Sequence, residues 1–231
     1  MQIYYKYKER GGKLIKKPNL LVLGASGGVA NAFLHNLIHH RNLFNKLILL
    51  DKNRKVLSNL YIDHKALNYV FIHKEIKLPE KREEYIDILK RYKIDIVLDI
   101  TDMDSIPIIE ITDKVKINYI NTAMNAEEKT VDELIYYIYG KKDKINNAVH
   151  ILCSGMNPGN VNMWVRYGIE KFGVPREVIH FEYDTSVISK KWAPMMTWSI
   201  HEFLVEDVRD PSGIVLGRNK LKKLYPNAIK H

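Results

Sequence analysis

At 231 residues the chain is long enough for one large domain, or one and a half, with a sizeable buried core. The net charge is +9, but lysines are spread over every segment and form no stripe interleaved with aromatic residues, which argues against a nucleic-acid partner. The single cysteine, the lack of any apolar run near the ~20 residues of a membrane span, and the lack of a signal-peptide core predict a cytoplasmic protein without a membrane partner.

The first elements are a polar, basic arm over residues 1–18 and then an apolar strand, Leu20 to Leu23. The segment Gly24 to Ala30 follows as a tight glycine turn, and a helical apolar pattern runs on to Ile38. A strand, a glycine turn and a helix in this order bring backbone N–H groups and the positive end of a helix dipole to a pyrophosphate. The pattern Gly24-x-x-Gly27-x-x-Ala30 varies the usual dinucleotide fingerprint, because Ser26 occupies the place of its second glycine.

A second apolar strand, Leu47 to Leu50, ends in Asp51. This is where a dinucleotide-binding fold places an acid, about 20 residues past the turn, to accept hydrogen bonds from the adenosine ribose. A carboxylate there repels a 2′-phosphate, so Asp51 favours NAD over NADP as the cofactor. The predicted cofactor-binding residues are Gly24, Ser26, Gly27, Gly28, Val29, Asp51, Thr101 and Thr122.

Strand and helix patterns then alternate along the chain. Strands are predicted at 69–73, 94–100, 118–122 and 149–153, and helices at 55–60, 80–92, 106–112, 126–139 and 161–172. This alternation predicts an α/β fold, a Rossmann-type doubly wound parallel sheet. We place the NAD-binding domain at residues 19–160 and expect residues 161–231 to begin an α+β substrate or dimerisation domain that is incomplete by the end of this sequence.

Three motifs in the second half carry more specific information. GMNPGNV, over 155–161, places an Asn-Pro-Gly turn between a strand and a helix, and Asn157 can present its amide at the carboxyl end of that strand. FEYDTS, over 181–186, contains Glu182, and TWSIHEFLVED, over 197–207, contains Trp198 and Glu206. Together these motifs resemble bacterial-type homospermidine synthase, within the broader saccharopine-dehydrogenase-like group.

The resemblance implies a chemistry. Members use bound NAD to oxidise putrescine to an imine with release of ammonia, add a second diamine, and reduce the new imine with the same cofactor. It implies a homodimer in the full-length form and a diamine as partner, putrescine or spermidine. Carried over by motif, the catalytic residues are Asn157, Glu182, Trp198, Glu206 and, from the acidic loop after the fourth strand, Asp102.

The residue types suit a diammonium substrate. Trp198 can hold an alkylammonium through a cation–π contact, and Glu182 and Glu206 can accept ammonium protons or act as the base. Each also has an ordinary structural interpretation: Trp198 as a core aromatic, Glu182 and Glu206 as solvated acids, Asp102 as a loop cap and Asn157 as a turn former. Glu202 lies one helical turn before Glu206, so either acid can face the site.

Two alternatives stay open. A related reductase, such as carboxynorspermidine or saccharopine dehydrogenase, needs an arginine clamp for a carboxylate-bearing substrate, and none lies between Trp198 and Arg209. A protein that binds NAD or polyamines without catalysis is the other. The histidines show no metal-binding spacing, so we predict no metal.

Overall fold

A computed structural model describes residues 16–54, 64–126, 129, 131–180, 214–216 and 220–222. The chain divides into two compact units, Met1–Val178 and Ile179–His231. The domain boundary near residue 160 stays a prediction, and the helix that follows it lies within the first unit. The predicted helix at 55–60 lies outside the described residues.

The described part of the first unit contains a sheet of six parallel strands. They are β1 (Leu20–Leu23), β2 (Leu47–Asp51), β3 (Tyr69–His73), β4 (Ile96–Asp99), β5 (Asn118–Asn121) and β6 (His150–Ile151). Their order across the sheet is β3-β2-β1-β4-β5-β6. The chain therefore reverses direction across the sheet between β1 and β4, which confirms the predicted doubly wound α/β fold.

Six α-helices connect or follow these strands in the described part of the unit. They are α1 (Gly28–Leu37), α2 (His64–Leu67), α3 (Arg82–Arg91), α4 (Ser105–Lys114), α5 (Val131–Gly140) and α6 (Asn160–Phe172), and a 3-10 helix (Ile38–Leu43) continues α1. Most of these elements lie within a few residues of their predicted positions. Helix α5 begins later than predicted, at Val131.

The core lies on both faces of the sheet, because alternate residues of each strand point to opposite sides. Leu21, Leu23, Ile48 and Leu50 pack in one cluster with residues of α3, α4 and α5. Leu20, Val22, Leu47 and Leu49 pack in a second cluster with Leu34 and Leu37 of α1. Strands buried on both faces are near-continuous apolar runs, which is why β1 and β2 are so visible in the sequence.

The register of the central strands brings their carboxyl ends to one level. Leu23 at the end of β1 is paired with Leu50 of β2 on one side and with Asp99 of β4 on the other. In open parallel sheets the crevice beyond the carboxyl ends, at the point where strand order reverses, is where ligands bind. The turn after β1 begins at this point.

The second unit is described only in part, as an antiparallel pair of strands, β7 (Ile214–Leu216) and β8 (Lys220–Lys222). Across the described ranges of the whole chain, no helix is both long and apolar enough to cross a membrane.

Candidate dinucleotide site

The turn after β1 is built around Gly24, whose φ is +74°. A Cβ on this residue would lie 2.5 Å from the carbonyl oxygen of Ile100 and 2.8 Å from Cγ2 of Thr101. The turn closes through a 3.0 Å hydrogen bond from the Gly27 amide to the Gly24 carbonyl. Both the left-handed backbone and the close approach of the segment after β4 require glycine here, as the sequence pattern predicts.

Helix α1 begins with an uncapped amino end. Gly27 is its N-cap residue, no side-chain hydrogen bond caps it, and its first turn contains no acidic residue. Gly27, Gly28 and Val29 are exposed at this end. Because the first amides of a helix have no acceptor within the helix and the dipole is positive there, this end is suited to an anion such as a pyrophosphate.

Asp51 braces the glycine turn. One of its carboxylate oxygens accepts a 2.9 Å hydrogen bond from the Ser26 amide, and the other accepts a 2.7 Å bond from the Asn53 amide. The Ser26 hydroxyl donates to the Asn53 carbonyl at 2.7 Å. The serine that departs from the fingerprint therefore ties the turn after β1 to the segment after β2.

The loop after β4 is organised by the buried carboxylate of Asp99. It accepts hydrogen bonds from the Thr101 amide at 3.0 Å, the Thr101 hydroxyl at 2.6 Å and the Tyr119 hydroxyl at 2.8 Å. Burial raises the pKa of Asp99 to about 6, although these hydrogen bonds act against the rise. In the same loop Asp104, and not Asp102, caps α4 by accepting a 2.9 Å bond from the Ile106 amide.

The loops after β4 and β5 are joined by hydrogen bonds. Asn125 donates its side-chain amide to the Thr101 carbonyl at 3.0 Å, and its backbone amide donates to the Ser105 hydroxyl at 3.0 Å. The Ser105 amide donates in return to the Asn125 carbonyl at 2.9 Å. These bonds fix the two segments, each containing a predicted cofactor-binding residue, relative to one another.

The turn after β6 packs directly on the end of β5. The Asn121 side chain accepts a 2.8 Å bond from the Cys153 amide, and a Cβ on Gly155 would lie 2.7 Å from the Thr122 carbonyl oxygen. Gly159 has a φ of +137°, and a Cβ there would lie 2.1 Å from the Gly155 carbonyl oxygen. The Asn-Pro-Gly turn thus requires Gly159 in order to close against Gly155, which lies beyond the end of β6.

An apolar cavity of about 320 Å³ runs along one face of the sheet, from Leu20 and Ile96 at the amino ends of β1 and β4 to Thr122 and Ser154 beyond the carboxyl ends of β5 and β6. It lies on the α1 side of the sheet, and the exposed Val29 is part of its wall. Its lining is Leu20, Val29, Phe33, Phe44, Ile96, Leu98, Ile100, Ile120, Thr122 and Ser154. A flat, mostly apolar ring can bury a face in such a cavity while its polar substituents reach Thr122 and Ser154.

The structure brings the predicted cofactor-binding residues to one edge of the sheet, after β1, β2, β4 and β5. Asp102 and Asn157, from the predicted catalytic set, also lie at the carboxyl ends of strands and are exposed. Glu182, Trp198 and Glu206 lie outside the described residues, as does most of the segment around them. Whether any of these residues binds a ligand or takes part in catalysis stays a prediction.

Sequence reasoning missed the residues whose side chains hold the loops of the site in place through hydrogen bonds, chiefly Asp99, Tyr119 and Asn121. The available signal was an acid at the end of an otherwise apolar strand pattern, since a buried carboxylate needs partners. In the described part of the chain no group of three or more His, Cys, Asp or Glu side chains could hold a metal ion.

Comparison with known proteins identifies the family. None of the curated proteins compared is similar enough to count as a relative. Two solved structures are similar in fold. The first is dTDP-glucose 4,6-dehydratase from Bacillus anthracis in complex with NAD, at 18% identity and a TM-score of 0.40, over 58% of this chain and 53% of that one. The second is UDP-glucose-4-epimerase from Stenotrophomonas maltophila with bound NAD, at 12% identity and a TM-score of 0.43, over 58% of this chain and 51% of that one.

The chain thus spans about half the length of each of these two solved proteins. The sequence match is more informative, because it covers residues 20–150, from the first residue of β1 to the first residue of β6. That range contains the glycine turn, Asp51 and the loops after β4 and β5. The chain belongs to the saccharopine dehydrogenase NADP-binding domain family.

Proposed function

We propose that this protein binds NAD and acts as a homospermidine synthase, transferring an aminobutyl group between diamines. Two molecules of putrescine give one of homospermidine and one of ammonia, through an imine, so the net reaction neither consumes nor produces reducing equivalents. The observation that carries the cofactor part is the uncapped amino end of α1 beside Asp51. The substrate part rests on the resemblance of residues 155–207 to the synthase motifs.

NAD is the proposed cofactor because of the position of Asp51. Asp51 is largely buried at the end of β2, beside the glycine turn, and its carboxylate accepts hydrogen bonds from the Ser26 and Asn53 amides. A 2′-phosphate in this position would be repelled and would lack these amides as donors. Lys52 and Arg54 lie exposed just beyond Asp51 and would attract a 2′-phosphate, so they reduce the preference for NAD that Asp51 gives.

Residues of this chain would bind the cofactor and the substrate at neighbouring positions of the sheet. When bound, NAD supplies hydride acceptance and return. The apolar cavity beside Ile100 and Ile120 would take the nicotinamide ring and keep water from its face. Asp102, exposed after β4, offers a carboxylate to a substrate ammonium, and Asn157, exposed after β6, offers an amide at the same edge.

The test is a product assay on the purified chain with NAD and putrescine, with homospermidine and ammonia measured by mass spectrometry. We expect product from the wild type and a loss of about a hundredfold or more in Trp198→Ala and Glu206→Gln. Glu170→Gln is the matched control, because Glu170 lies exposed on α6 in an ion pair with Arg166. Product formation unchanged in both test variants would overturn the assignment of these residues.

A related reductase of the saccharopine or carboxynorspermidine dehydrogenase type is the second candidate, favoured by the family match over residues 20–150. Such an enzyme would oxidise reduced cofactor in the presence of a carboxylate-bearing imine and would give no homospermidine. A chain that binds NAD and carries out neither reaction would either act as a binding protein or need the remainder of the substrate domain for activity. Supplying that remaining segment in trans separates these two outcomes.

A further inference from the structure

The buried carboxylate of Asp99 has no part in the chemistry proposed above, yet it lies directly beneath the glycine turn. It is only 3% exposed, at the last position of β4, paired in register with Leu23 of β1. Burying a carboxylate is unfavourable unless hydrogen bonds compensate. An apolar side chain at this position would therefore be buried with a more favourable free energy than the carboxylate of Asp99.

A short chain of contacts links Asp99 to the turn. Its Oδ1 accepts hydrogen bonds from both the amide and the hydroxyl of Thr101. Cγ2 of Thr101 and the carbonyl of Ile100 form the surface against which Gly24 closes, since a Cβ on Gly24 would lie within 3 Å of both. Thr101 thus lies between the carboxylate and the turn, and its position is set by the bonds that Asp99 accepts.

The same residue connects to the neighbouring loop. The Thr101 hydroxyl accepts a 3.2 Å bond from the Met103 amide, and the Thr101 carbonyl accepts the side-chain amide of Asn125. A shift of Thr101 would therefore move the surface under the turn and the loops after β4 and β5 together.

We propose that Asp99 is a positioning residue for the dinucleotide site: its ionised carboxylate holds Thr101 beneath the glycine turn, so that the charge of Asp99 sets the affinity for the cofactor. This inference rests on the proposed function, since it takes the turn as the dinucleotide site. An ionised carboxylate accepts both Thr101 bonds strongly. A protonated one accepts more weakly and has a proton of its own to place, which loosens Thr101.

Three titratable groups act on Asp99 from the elements packed around it within the described residues. Tyr119 of β5 donates its hydroxyl to Oδ2, Tyr85 of α3 is fully buried and electrostatically coupled to the carboxylate, and Asp102 lies in the loop that follows. The Tyr85 hydroxyl has no hydrogen-bond partner within the described residues. Burial raises the pKa of Asp99 to about 6, so its charge changes between mildly acidic and neutral solution.

The experiment is a titration of the full chain with NAD at a series of pH values. We expect the wild-type Kd for NAD to rise at least about threefold as the pH falls from about 7.5 to about 5. The midpoint of this rise should lie near the pKa of Asp99, about 6. In Asp99→Asn the Kd should not change with pH over this range. In Tyr119→Phe the midpoint should move to higher pH, because the variant removes a hydrogen bond that favours the charged carboxylate.

Asp113→Asn is the matched control, because Asp113 is another buried carboxylate of the same unit and its partners are Asn147, Ala148 and His150. It should keep the wild-type pH dependence. A second readout needs no ligand: the backbone amide NMR signals of Gly24 and Thr101 should shift together with the same midpoint, and should not shift in Asp99→Asn.

The outcomes are distinguishable. Binding of NAD without a pH step, or a step that persists in Asp99→Asn, would overturn this inference and leave the proposed function standing. Amide signals of Gly24 that do not follow those of Thr101 would also overturn it. Absence of NAD binding at every pH would overturn the proposed function and this inference with it.

Discussion

Gly24 determines the shape of the turn at the residue scale, because its φ of +74° and its contact with Ile100 both exclude a side chain. We predict that Gly24→Ala lowers the free energy of unfolding by about 2–4 kcal/mol, from the left-handed conformation and the steric overlap together. It should also weaken NAD binding by about tenfold or more, since the amides of the turn would move. Chemical denaturation and calorimetric titration measure the two effects.

Gly168→Ala is the control for this prediction. Gly168 lies within α6, and apart from the helix's own backbone no heavy atom of the described residues lies within 4 Å of a Cβ built on it. The substitution should stabilise the helix by up to about 1 kcal/mol and leave NAD binding unchanged. Equal effects of the two substitutions would show that the turn has no special requirement for glycine.

Asp99 makes a second residue-scale prediction, on stability rather than binding. Its pKa of about 6 in the folded protein lies above its ordinary value of 3.8, so the folded state binds more protons than the unfolded state between these pH values. Stability from this group therefore falls as pH rises through that window. Relative to Asp99→Asn, the wild type should lose about 2 kcal/mol between about pH 4 and about pH 7.

Urea denaturation of both proteins across that pH range measures the difference, and subtracting the variant removes the contributions of other groups. A difference between the two proteins that is flat with pH, or that grows in favour of the wild type as pH rises, would contradict the assigned pKa direction.

Residue-scale reasoning from sequence locates residues whose type has one dominant use. Gly24 lies in the tight turn predicted after β1, and Asp51 lies at the end of β2 as predicted, while the cofactor-binding role of each stays a prediction. The roles of Ser26 and Asp99 depend on partners that are distant in sequence, Asn53 and Tyr119. Hydrophobic periodicity contains no information on such partners, and only the folded register supplies them.

At the scale of elements, the sheet was predictable because β1 and β2 are buried runs bounded by polar residues. The ends of the strands and helices were less predictable from the sequence. The sequence predicts β6 over 149–153, but its regular pairing with β5 covers only His150 and Ile151, because the φ of +55° at Cys153 interrupts the extended backbone. Helix ends depend on caps such as Asp104, which pattern alone does not locate.

The contact between α4 and the start of β6 gives an element-scale prediction. Asp113, near the end of α4, accepts hydrogen bonds from the Asn147 amide and side chain, the Ala148 amide and the His150 ring. We predict that Asp113→Ala destabilises the protein by about 3 kcal/mol, because the hydrogen bonds that this buried carboxylate accepts from residues 147–150 are lost together. Thermal or urea denaturation measures this change.

Glu110→Ala is the matched control on the same helix, since Glu110 forms a more exposed ion pair with Lys141 and should cost about 1 kcal/mol or less. Burial by itself raises the pKa of Asp113, but the hydrogen bonds outweigh it and hold the pKa below the ordinary value. The stabilisation is therefore present above about pH 4 and is lost as pH falls further. Similar losses in both variants would show that α4 does not anchor β6 through this carboxylate.

At the scale of the whole molecule, one topological fact places the site. The reversal of strand order between β1 and β4 brings the glycine turn, Asp51 and the loops after β4 and β5 to a single edge. This followed from the alternation of strand and helix patterns, without knowledge of any contact. The proposed substrate residues Glu182, Trp198 and Glu206 lie outside the described residues, so the substrate assignment depends on sequence motifs and the cofactor assignment on both sequence and structure.

The proposed function requires the turn after β1 and Asp51 to form a site that prefers NAD. Calorimetric titration of the purified chain with NAD and, separately, with NADP tests this requirement. We predict that NAD binds at least about tenfold more tightly, and that Asp51→Ala removes this preference along with much of the affinity, because the turn loses its brace and the ribose its acceptor. Tighter binding of NADP would contradict the cofactor assignment, and failure of both dinucleotides to bind would contradict the site itself.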